Sequence, residues 1–359
     1  MNSGTVIVGA SAAGLAVAAC LKEKGQKFEL LEASQQVASS WRNHYQRLHL
    51  HTAKGLSGLP GLGFPPEAPN YPSREQVIAY LEENARHFSL APRFGERVVS
   101  VKRDTGGWIV RSENGEWHAK NVVMATGHAR VPERPTWPGL TDFKGRVLHS
   151  SEYKAGAEFK GQRVLVVGFG NSGGEIAIDL FEQGARPAIA VRSAVNVIPR
   201  DFLGLSILAW GIALSFLPTR VGDVIARLVS RIAFGGIEKL GFRKLAYGPM
   251  TQIKKDGRIP LIDVGTLGLV RNGSIEVFPG IESFAASTIR FTGGREEPFD
   301  AVVLATGFRH GVSAFIDADP LKHDLPGLYF CGFNTAVATG FLREIGIEAR
   351  RIANSIASN

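Results

Sequence analysis

The sequence contains few cysteines: Cys20 and Cys331 are the only two among 359 residues. Neither belongs to a Cys-x-x-Cys pair, which excludes enzymes that work through a redox pair of neighbouring thiols. Two isolated cysteines also do not provide the disulfide framework of a small secreted domain. The sequence therefore favours a reducing compartment, and we expect a cytoplasmic protein without a bound metal.

The chain also lacks basic runs interleaved with aromatic residues, although its net charge is +8. This absence argues against nucleic acid as a partner, and scattered arginines on a solvated surface are the favoured interpretation of the charge. Anionic cofactors, anionic substrates or an acidic membrane surface are the alternatives. The apolar N-terminal run has no basic residues before it, so it does not have the composition of a signal peptide. At 359 residues, 44% of them hydrophobic, the chain can bury a large core and is long enough for two domains.

Two glycine-rich turns are the most informative motifs. Residues 9–14 follow the apolar run Val6-Ile7-Val8, and residues 168–173 follow a second apolar run at 164–167. A pyrophosphate binds to free backbone N–H groups at a helix N-terminus, provided that no side chain blocks its approach. Either turn alone could be an ordinary connection between strand and helix. Together they predict two bound dinucleotides and an α/β fold with two Rossmann-like domains.

The residue after the second strand of each domain predicts which nucleotide binds. Glu32 ends the strand at 28–32, where a carboxylate accepts hydrogen bonds from ribose hydroxyls. Arg192 and Ser193 end the corresponding strand of the second domain and suit a 2′-phosphate, so we expect NADP rather than NAD there. Ser11 occupies the position at which the middle glycine of the first turn is usual, and its small side chain departs from the motif.

The sequence Ala-Thr-Gly ends a predicted strand twice, at residues 125–127 and 305–307. This repetition predicts that the second dinucleotide domain is inserted into the first, with the first over residues 1–155 and 286–359 and the insertion over 156–285. Ser73 predicts the N-cap of an amphipathic helix with Val77, Ile78, Leu81 and Ala85 on one face. Strands are expected near residues 97–101, 108–111 and 122–125. The segment 327–332, with a helix after Gly340, is expected to complete the first domain.

An uncharged segment at residues 202–219 does not fit this scheme. Leu203, Ile207, Trp210, Leu214 and Leu217 recur at helical spacing within it. The segment is short for a membrane span, which takes about 20 residues, and it contains glycine and proline. Three alternatives stay open: a lid over an apolar substrate channel, a contact with a membrane surface or a protein partner such as a second copy, and a true span.

A signature lies between the two predicted domains. Phe143, Gly145, His149 and Tyr153 fit the pattern Phe-x-Gly-x-x-x-His-x-x-x-Tyr, which with both glycine turns resembles flavin-containing monooxygenases over nearly the whole chain. The related Baeyer-Villiger enzymes end this signature in tryptophan. Within the family, residues 191–200, 259–265 and 277–281 are similar to the YUCCA-type enzymes of plants and their bacterial relatives.

The resemblance implies FAD in the first domain, NADPH in the second and O₂ as co-substrate, with a C4a-(hydro)peroxyflavin as the oxygenating species. For the YUCCA-type subgroup it implies oxidative decarboxylation of indole-3-pyruvate to indole-3-acetate, a step of auxin biosynthesis. The wider family implies N- or S-oxygenation of a lipophilic amine or thioether instead. A non-catalytic nucleotide-sensing flavoprotein is a further alternative, favoured only by Ser11.

The resemblance also suggests catalytic residues. His51 stands where the wider family has an asparagine beside the flavin, three positions before Lys54. We expect His51 and Lys54 to tune the flavin peroxide, with packing or solvent exposure as the alternative for both. Arg200 is expected to bind NADP phosphate or an anionic substrate, and His149 to fix the linker between the domains by hydrogen bonds.

The remaining candidates bind the cofactors. For the first dinucleotide they are Gly9, Ser11, Ala13, Gly14, Glu32, Trp41, Arg42, Thr52, Ala125, Thr126, Gly127 and Gly332. For the second they are Gly168, Gly170, Asn171, Ser172, Gly173, Arg192, Ser193 and Thr306.

Overall fold

A computed structural model describes residues 2–316, 325–335 and 337–358. The chain forms two compact units. Unit 1 comprises Met1–Asn43, Thr52–Val131 and Phe308–Asn359, and unit 2 comprises His44–His51 and Pro132–Gly307. Unit 2 is therefore an insertion into unit 1, and the short segment His44–His51 belongs to it as well.

The elements are numbered along the chain. The helices are α1 (Ala12–Glu23), α2 (Ser39–Arg42), α3 (Arg74–His87), α4 (Asn171–Glu182), α5 (Ile207–Ser215), α6 (Thr219–Phe234), α7 (Pro249–Asp256), α8 (Thr266–Arg271) and α9 (Phe341–Ala357). The strands are β1 (Asn2–Val8), β2 (Phe28–Glu32), β3 (Arg93–Phe94), β4 (Val98–Asp104), β5 (Gly107–Ser112), β6 (Glu116–Met124), β7 (Val131–Pro132), β8 (Arg146–His149), β9 (Arg163–Val167), β10 (Arg186–Ala190), β11 (Val197–Pro199), β12 (Asp201–Phe202), β13 (Leu205–Ser206), β14 (Leu261–Asp263), β15 (Glu276–Phe278), β16 (Ile281–Phe284), β17 (Thr288–Phe291), β18 (Glu296–Pro298), β19 (Ala301–Leu304), β20 (Phe308–Arg309) and β21 (Leu328–Phe330).

The sheet of unit 1 joins a parallel half to an antiparallel half. Its strands follow the order β3-β2-β1-β6-β5-β4, and β21 also pairs with β6. The nine-residue strand β6 makes this possible, because its first half pairs antiparallel with β5 and its second half pairs parallel with β21. The side chains of α1 from Ala12 to Leu21 are all buried, and most are small enough for close packing between layers.

The main sheet of unit 2 is entirely parallel, with the order β15-β10-β9-β19-β8. The order β3-β2-β1-β6-β21 of unit 1 matches it strand for strand. Its central strands β9 and β19 are buried on both faces, as an apolar strand with helices over its sheet requires. Both units therefore have a Rossmann-like fold, and the predicted fold class is confirmed.

Several predicted elements are confirmed in unit 1. Ser73 caps α3: its side chain accepts a hydrogen bond from the Gln76 N–H, and the Gln76 side chain accepts one from the Ser73 N–H. Val77, Ile78, Leu81 and Ala85 form the buried face of α3. The strands β4, β5 and β6 and the helix α9 also lie where the sequence predicts them, and β21 lies within the segment 327–332.

The boundaries between the units differ from the predicted ones. They lie at 131/132 and 307/308, whereas the sequence suggested 155/156 and 285/286. The physical reason is the pairing of β8 and β19, which belong to the parallel sheet of unit 2 and so bring residues 146–149 and 301–304 into its core. The two Ala-Thr-Gly segments consequently end equivalent strands of different units.

The segment 202–219 does not form the single helix that its spacing suggests. It contains the hairpin β12–β13, the nine-residue helix α5 and the start of α6. Leu203 and Gly204 make the hairpin turn, both with positive φ, and Pro218 precedes α6. Among the described residues no helix is long and apolar enough to cross a membrane, so the alternative of a true span at 202–219 is wrong.

Candidate functional site

The two glycine turns have nearly the same geometry in their separate units. Gly9 and Gly168 have φ of +105° and +108°, a region that favours glycine. An added Cβ would lie 2.8 Å from the Ala125 carbonyl oxygen at Gly9 and 2.5 Å from the Ala305 carbonyl oxygen at Gly168. The two alanines directly follow β6 and β19, so the Ala-Thr-Gly repeat reflects the close approach of each strand end to a turn.

The last glycine of each motif is required by packing within the turn. A Cβ at Gly14 would lie 1.7 Å from the Gly9 carbonyl oxygen, and a Cβ at Gly173 would lie 2.2 Å from that of Gly168. Each helix must therefore start directly against the preceding strand. This arrangement aims the first N–H groups of α1 and α4 out of the carboxyl end of each parallel sheet, where a phosphate binds.

Gly170 has a different explanation. Its φ of −100° and ψ of −175° suit any residue, and an added Cβ would meet no atom within 4 Å. Neither backbone conformation nor protein packing therefore requires glycine at this N-cap position, where polar side chains are usually favourable. The absence of a side chain leaves open space beside the start of α4, and this space fits a pyrophosphate.

Unit 1 places several predicted residues around its turn. The buried carboxylate of Glu32 accepts hydrogen bonds from the Ala10 N–H at 2.7 Å and from the Ser34 N–H at 2.9 Å. Glu32 thus holds the turn in place in addition to any contact with a ribose. Ser11, the N-cap of α1, hydrogen-bonds through its side chain to Ser40 at 2.6 Å, which turns its hydroxyl away from the helix N–H groups.

Other atoms of unit 1 near this turn have no protein partner. The Thr126 hydroxyl and the His128 Nδ1 atom are buried without a hydrogen bond among the described residues. Burial lowers the pKa of His128, so the ring is neutral at physiological pH and can bond to an uncharged polar group. Gly332 packs against α1, where an added Cβ would lie 3.1 Å from Ala13 Cβ. These orphaned polar atoms fit a bound dinucleotide.

In unit 2, Arg192 and Ser193 lie exposed just after β10. The side chain of Arg243 donates a hydrogen bond to the Arg192 carbonyl oxygen, so a second guanidinium lies beside the strand end. Sequence analysis missed Arg243, because it is far from the motif along the chain. Asn171 accepts a hydrogen bond from the Ile262 N–H at 2.9 Å.

The other cofactor candidates are held by local contacts. Trp41 and Arg42 lie on α2, and the Arg42 guanidinium pairs with Glu82. Thr52 hydrogen-bonds to the Ser57 hydroxyl at 2.7 Å. The Thr306 hydroxyl donates to the Glu133 carbonyl, at the end of β19 in unit 2.

Lys54 has a structural role. Its ammonium donates to the backbone carbonyls of Pro65, Pro66 and Ala68. An ammonium has three N–H donors. The carbonyls of one loop accept from all three. This geometry supports the packing alternative for Lys54.

His51 belongs to a buried cluster in unit 2 that the sequence did not reveal. Its Nε2 atom lies 2.9 Å from Oε1 of Glu175, which is on α4. The Tyr45 hydroxyl donates to Oε2 of the same carboxylate at 3.0 Å, and Arg47 lies 3.9 Å away. Burial, with the nearby Glu175 carboxylate, raises the pKa of Tyr45 well above its usual value. Tyr45 therefore stays protonated and donates.

Three acidic residues lie along one face of α4. Glu175 and Glu182 bind the segment His44–His51, and Asp179 binds Tyr153. Glu175, Asp179 and Glu182 are spaced at i, i+4 and i+7, which places them on the same side of the helix. Glu182 pairs with Arg47 at 2.8 Å, and Asp179 accepts from the Tyr153 hydroxyl at 2.6 Å. Two buried acids at this spacing are a signal that sequence analysis could have used.

The signature residues serve packing within unit 2. A Cβ at Gly145 would lie 2.5 Å from the Asp300 carbonyl oxygen. The His149 Nε2 atom lies 3.1 Å from the carbonyl oxygen of Gly307, the last residue of unit 2 before the chain returns to unit 1. Burial lowers the pKa of His149, so a neutral ring makes this bond. His149 thus binds the backbone where the chain leaves unit 2.

Arg200 lies between β11 and β12. Its Nε atom is 3.4 Å from the Asp201 carboxylate, and its carbonyl accepts from the Ile207 N–H at 2.8 Å. The guanidinium is about two-fifths exposed.

Neither cysteine is suited to thiol chemistry. Both are buried, and burial raises the pKa of Cys20 to about 11 and that of Cys331 well above its usual value. The thiolate is the reactive form of cysteine. Both side chains therefore act as small apolar groups.

Comparison with known proteins agrees with this architecture. Residues 6–201, more than half of the chain, match the family described as pyridine nucleotide-disulphide oxidoreductase. A flavin-containing monooxygenase from Stenotrophomonas maltophilia has a similar fold, with a TM-score of 0.76 at 22% identity, over 99% of this chain and 98% of that one. A steroid monooxygenase bound to NADP has a TM-score of 0.77 at 19% identity, over 99% and 85% of the two chains. Together, the fold and its turns define an oxidoreductase that uses a flavin and a pyridine nucleotide.

Sequence relatives narrow this class. The chain is 42% identical to indole-3-pyruvate monooxygenase YUCCA1 of Oryza sativa subsp. japonica, over 87% of this chain and 78% of the relative. It is 39% identical to indole-3-pyruvate monooxygenase YUCCA6 of Arabidopsis thaliana, over 99% and 90%. The chain belongs to the flavin monooxygenase family, and it is an enzyme that uses O₂ on a small molecule. The resemblance found in the sequence is confirmed.

Proposed function

We propose that this enzyme binds FAD in unit 1 and NADPH in unit 2, and that it converts indole-3-pyruvate to indole-3-acetate. NADPH supplies two electrons, one oxygen atom of O₂ enters the product acid, the other leaves as water, and the carboxyl carbon leaves as CO₂. The single observation that carries the cofactor assignment is the pair of glycine turns, each at the carboxyl end of a parallel sheet. The identity to indole-3-pyruvate monooxygenases supports the substrate.

The flavin supplies the oxygen chemistry, and the protein binds and orients. In unit 1, the N–H groups at the start of α1 receive the pyrophosphate, and Glu32 stabilises the turn that presents them. The buried Thr126 hydroxyl and His128 Nδ1 have hydrogen bonds to offer a bound flavin nucleotide. In unit 2, α4 receives the second pyrophosphate, and the open space at Gly170 lets it approach.

We propose His51 as the residue that adjusts the reaction. The Glu175 carboxylate holds its Nε2 atom, and this bond fixes the ring's orientation as a carboxylate does for catalytic histidines elsewhere. Among the described residues no hydrogen bond is made by His51 Nδ1, which is therefore available to a ligand. Arg200, partly exposed, is the proposed contact for an anionic group of NADP or of an apolar substrate.

Turnover with indole-3-pyruvate tests the proposed reaction. The purified yellow enzyme should consume O₂ and NADPH faster when indole-3-pyruvate is added, and it should form indole-3-acetate in a 1:1 ratio to the NADPH consumed, because each turnover uses one hydride. Catalase must be present, since free hydrogen peroxide itself decarboxylates 2-oxo acids. Mass spectrometry identifies the product. Oxidation of NADPH without formation of indole-3-acetate, or oxygenation only of an added amine or thioether, would contradict the proposed substrate.

Arg192 should determine the preference for NADPH over NADH. Arg192→Ala is expected to lower kcat/KM for NADPH by about 10- to 100-fold, because a charge-assisted hydrogen bond to phosphate contributes about 1.5–3 kcal/mol. NADH has no 2′-phosphate, so its kcat/KM should hardly change. Arg186→Ala is the control, since Arg186 lies at the opposite end of the same strand. An equal loss for both coenzymes would mean that Arg192 does not contact the 2′-phosphate.

A further inference from the structure

The helix α6 exposes apolar side chains to solvent on the side opposite its buried face. The buried face of α6 packs within unit 2 and consists of Gly222, Asp223, Ala226 and Val229. Val221, Val224, Leu228 and Ile232 are 44%, 67%, 57% and 64% exposed. With Leu217 just before the helix they follow the spacing i, i+4, i+7, i+11 and i+15, which is one side of a helix. We call these five residues the apolar stripe.

Cations lie along one edge of the stripe. Arg220, Arg227 and Arg231 are spaced at i, i+7 and i+11, which places them in one row beside the stripe at about 100° per residue. Arg220 and Arg231 are exposed and form no salt bridge among the described residues. Arg227 donates to the Ala246 carbonyl.

The outer surface of α6 carries no negative charge. Its one acidic residue, Asp223, is buried and accepts hydrogen bonds from the Met250 and Thr251 N–H groups. A cavity of about 530 Å³ at the C-terminal end of α6 is lined by Arg231, Lys239 and Lys244 with a single carboxylate, Glu238. The positive charge therefore continues past the end of the stripe.

The hairpin β12–β13 exposes a second apolar feature in the same unit. Leu203 is 79% exposed and has a φ of +51°, a conformation in which a leucine is rare and strained. Glycine or asparagine would adopt this positive φ with less backbone strain, and neither would expose a large apolar side chain to water. Both the exposure of Leu203 and its backbone conformation are unfavourable in the isolated unit. A contact made by this exposed leucine would explain why a leucine stands at the turn.

We propose that unit 2 docks on the surface of an anionic lipid bilayer through α6. An amphipathic helix with an apolar face beside arginines lies in the plane of such a surface, its apolar side chains among the acyl chains and its cations at the headgroups. The charge pattern favours this occupant over a second copy of the chain. A second copy would present the same arginines and no exposed acid of α6 to pair with them.

Vesicle sedimentation of the purified holoenzyme tests the proposal. The enzyme should sediment with vesicles that contain phosphatidylglycerol and stay in solution with pure phosphatidylcholine vesicles. Val224→Ser/Leu228→Ser should lower the partition coefficient on the anionic vesicles by about tenfold or more, since each substitution removes most of an apolar side chain that the bilayer would otherwise bury. Arg220→Gln/Arg231→Gln should weaken binding and reduce its dependence on salt. Ile347→Ser, at an exposed apolar residue of α9 in unit 1, is the matched control and should bind like the wild type.

All variants should keep the circular dichroism spectrum, the bound flavin and the solution rate of NADPH oxidation of the wild type. The substituted side chains are exposed, and none belongs to the proposed cofactor sites. Three results would overturn the proposal: no binding of the wild type to anionic vesicles, binding that the Ser substitutions leave intact, or a concentration-dependent dimer in light scattering that those substitutions dissociate. The last result would assign the stripe to a second copy. None of these measurements depends on the identity of the substrate.

Discussion

Gly170→Asp should abolish reduction of the flavin by NADPH while the protein stays folded and yellow. Asp is a favourable N-cap residue, and the backbone at Gly170 suits any side chain, so α4 should form normally. The new carboxylate, however, would project into the space beside the helix N-terminus and repel the pyrophosphate. We expect a loss of at least about 100-fold in the rate of anaerobic flavin reduction at fixed NADPH, which corresponds to roughly 3 kcal/mol.

Two further variants make this result specific. Gly106→Asp is the control, because Gly106 is also an exposed glycine with no atom within 4 Å of an added Cβ, and it should reduce normally. Ser11→Asp introduces the same charge at the equivalent position of unit 1 and should give colourless protein instead. If Gly170→Asp lost its FAD and Ser11→Asp kept it, the two cofactors would be assigned to the wrong units.

Glu175→Ala should lower the free energy of unfolding of unit 2 by about 3 kcal/mol. The substitution leaves the buried Tyr45 hydroxyl without its acceptor and removes the partner of His51, and each unsatisfied buried polar group costs about 1–3 kcal/mol. Because the carboxylate binds both ends of the segment His44–His51, that segment should detach from α4 as well. Urea unfolding of the holoenzyme, followed by circular dichroism, measures the change.

Glu182→Ala provides the comparison on the same helix. Its carboxylate pairs with Arg47 but is about half exposed, and an exposed pair contributes about 0.2–1 kcal/mol. Glu175→Gln should fall between the two, since an amide oxygen still accepts from Tyr45. If Glu175→Ala were no more destabilising than Glu182→Ala, the buried cluster would not hold the segment.

The architecture could be predicted well from the sequence because its signals are local. The capping box of α3 lies within four consecutive residues. Each glycine turn combines the end of a strand, a glycine with positive φ and the start of a helix within about ten residues. The apolar strands of both sheets are buried on both faces and stand out as continuous hydrophobic runs. Such patterns depend on backbone geometry, which short stretches of chain largely determine.

The failures have physical reasons too. The spacing of leucines at 202–219 satisfies a helical period, but the period cannot show that Leu203 lies in a hairpin turn with positive φ. The boundary residues 146–149 and 301–304 looked like parts of a linker and of the first domain. Residues 301–304 pair with β9, and residues 146–149 pair with 301–304, so only strand pairing assigns both segments to unit 2.

By itself the sequence determined the two glycine turns, the inserted Rossmann-like architecture and the family, since these follow from residues that are neighbours along the chain. The tertiary structure alone decided what the individual side chains do. In the folded chain, Lys54 donates to the carbonyls of its own loop, and His51 bonds to Glu175 more than 120 residues away. Arg243 lies beside Arg192, and the apolar stripe of α6 faces solvent. These outcomes depend on which surfaces meet when the chain packs, and no local spacing encodes that.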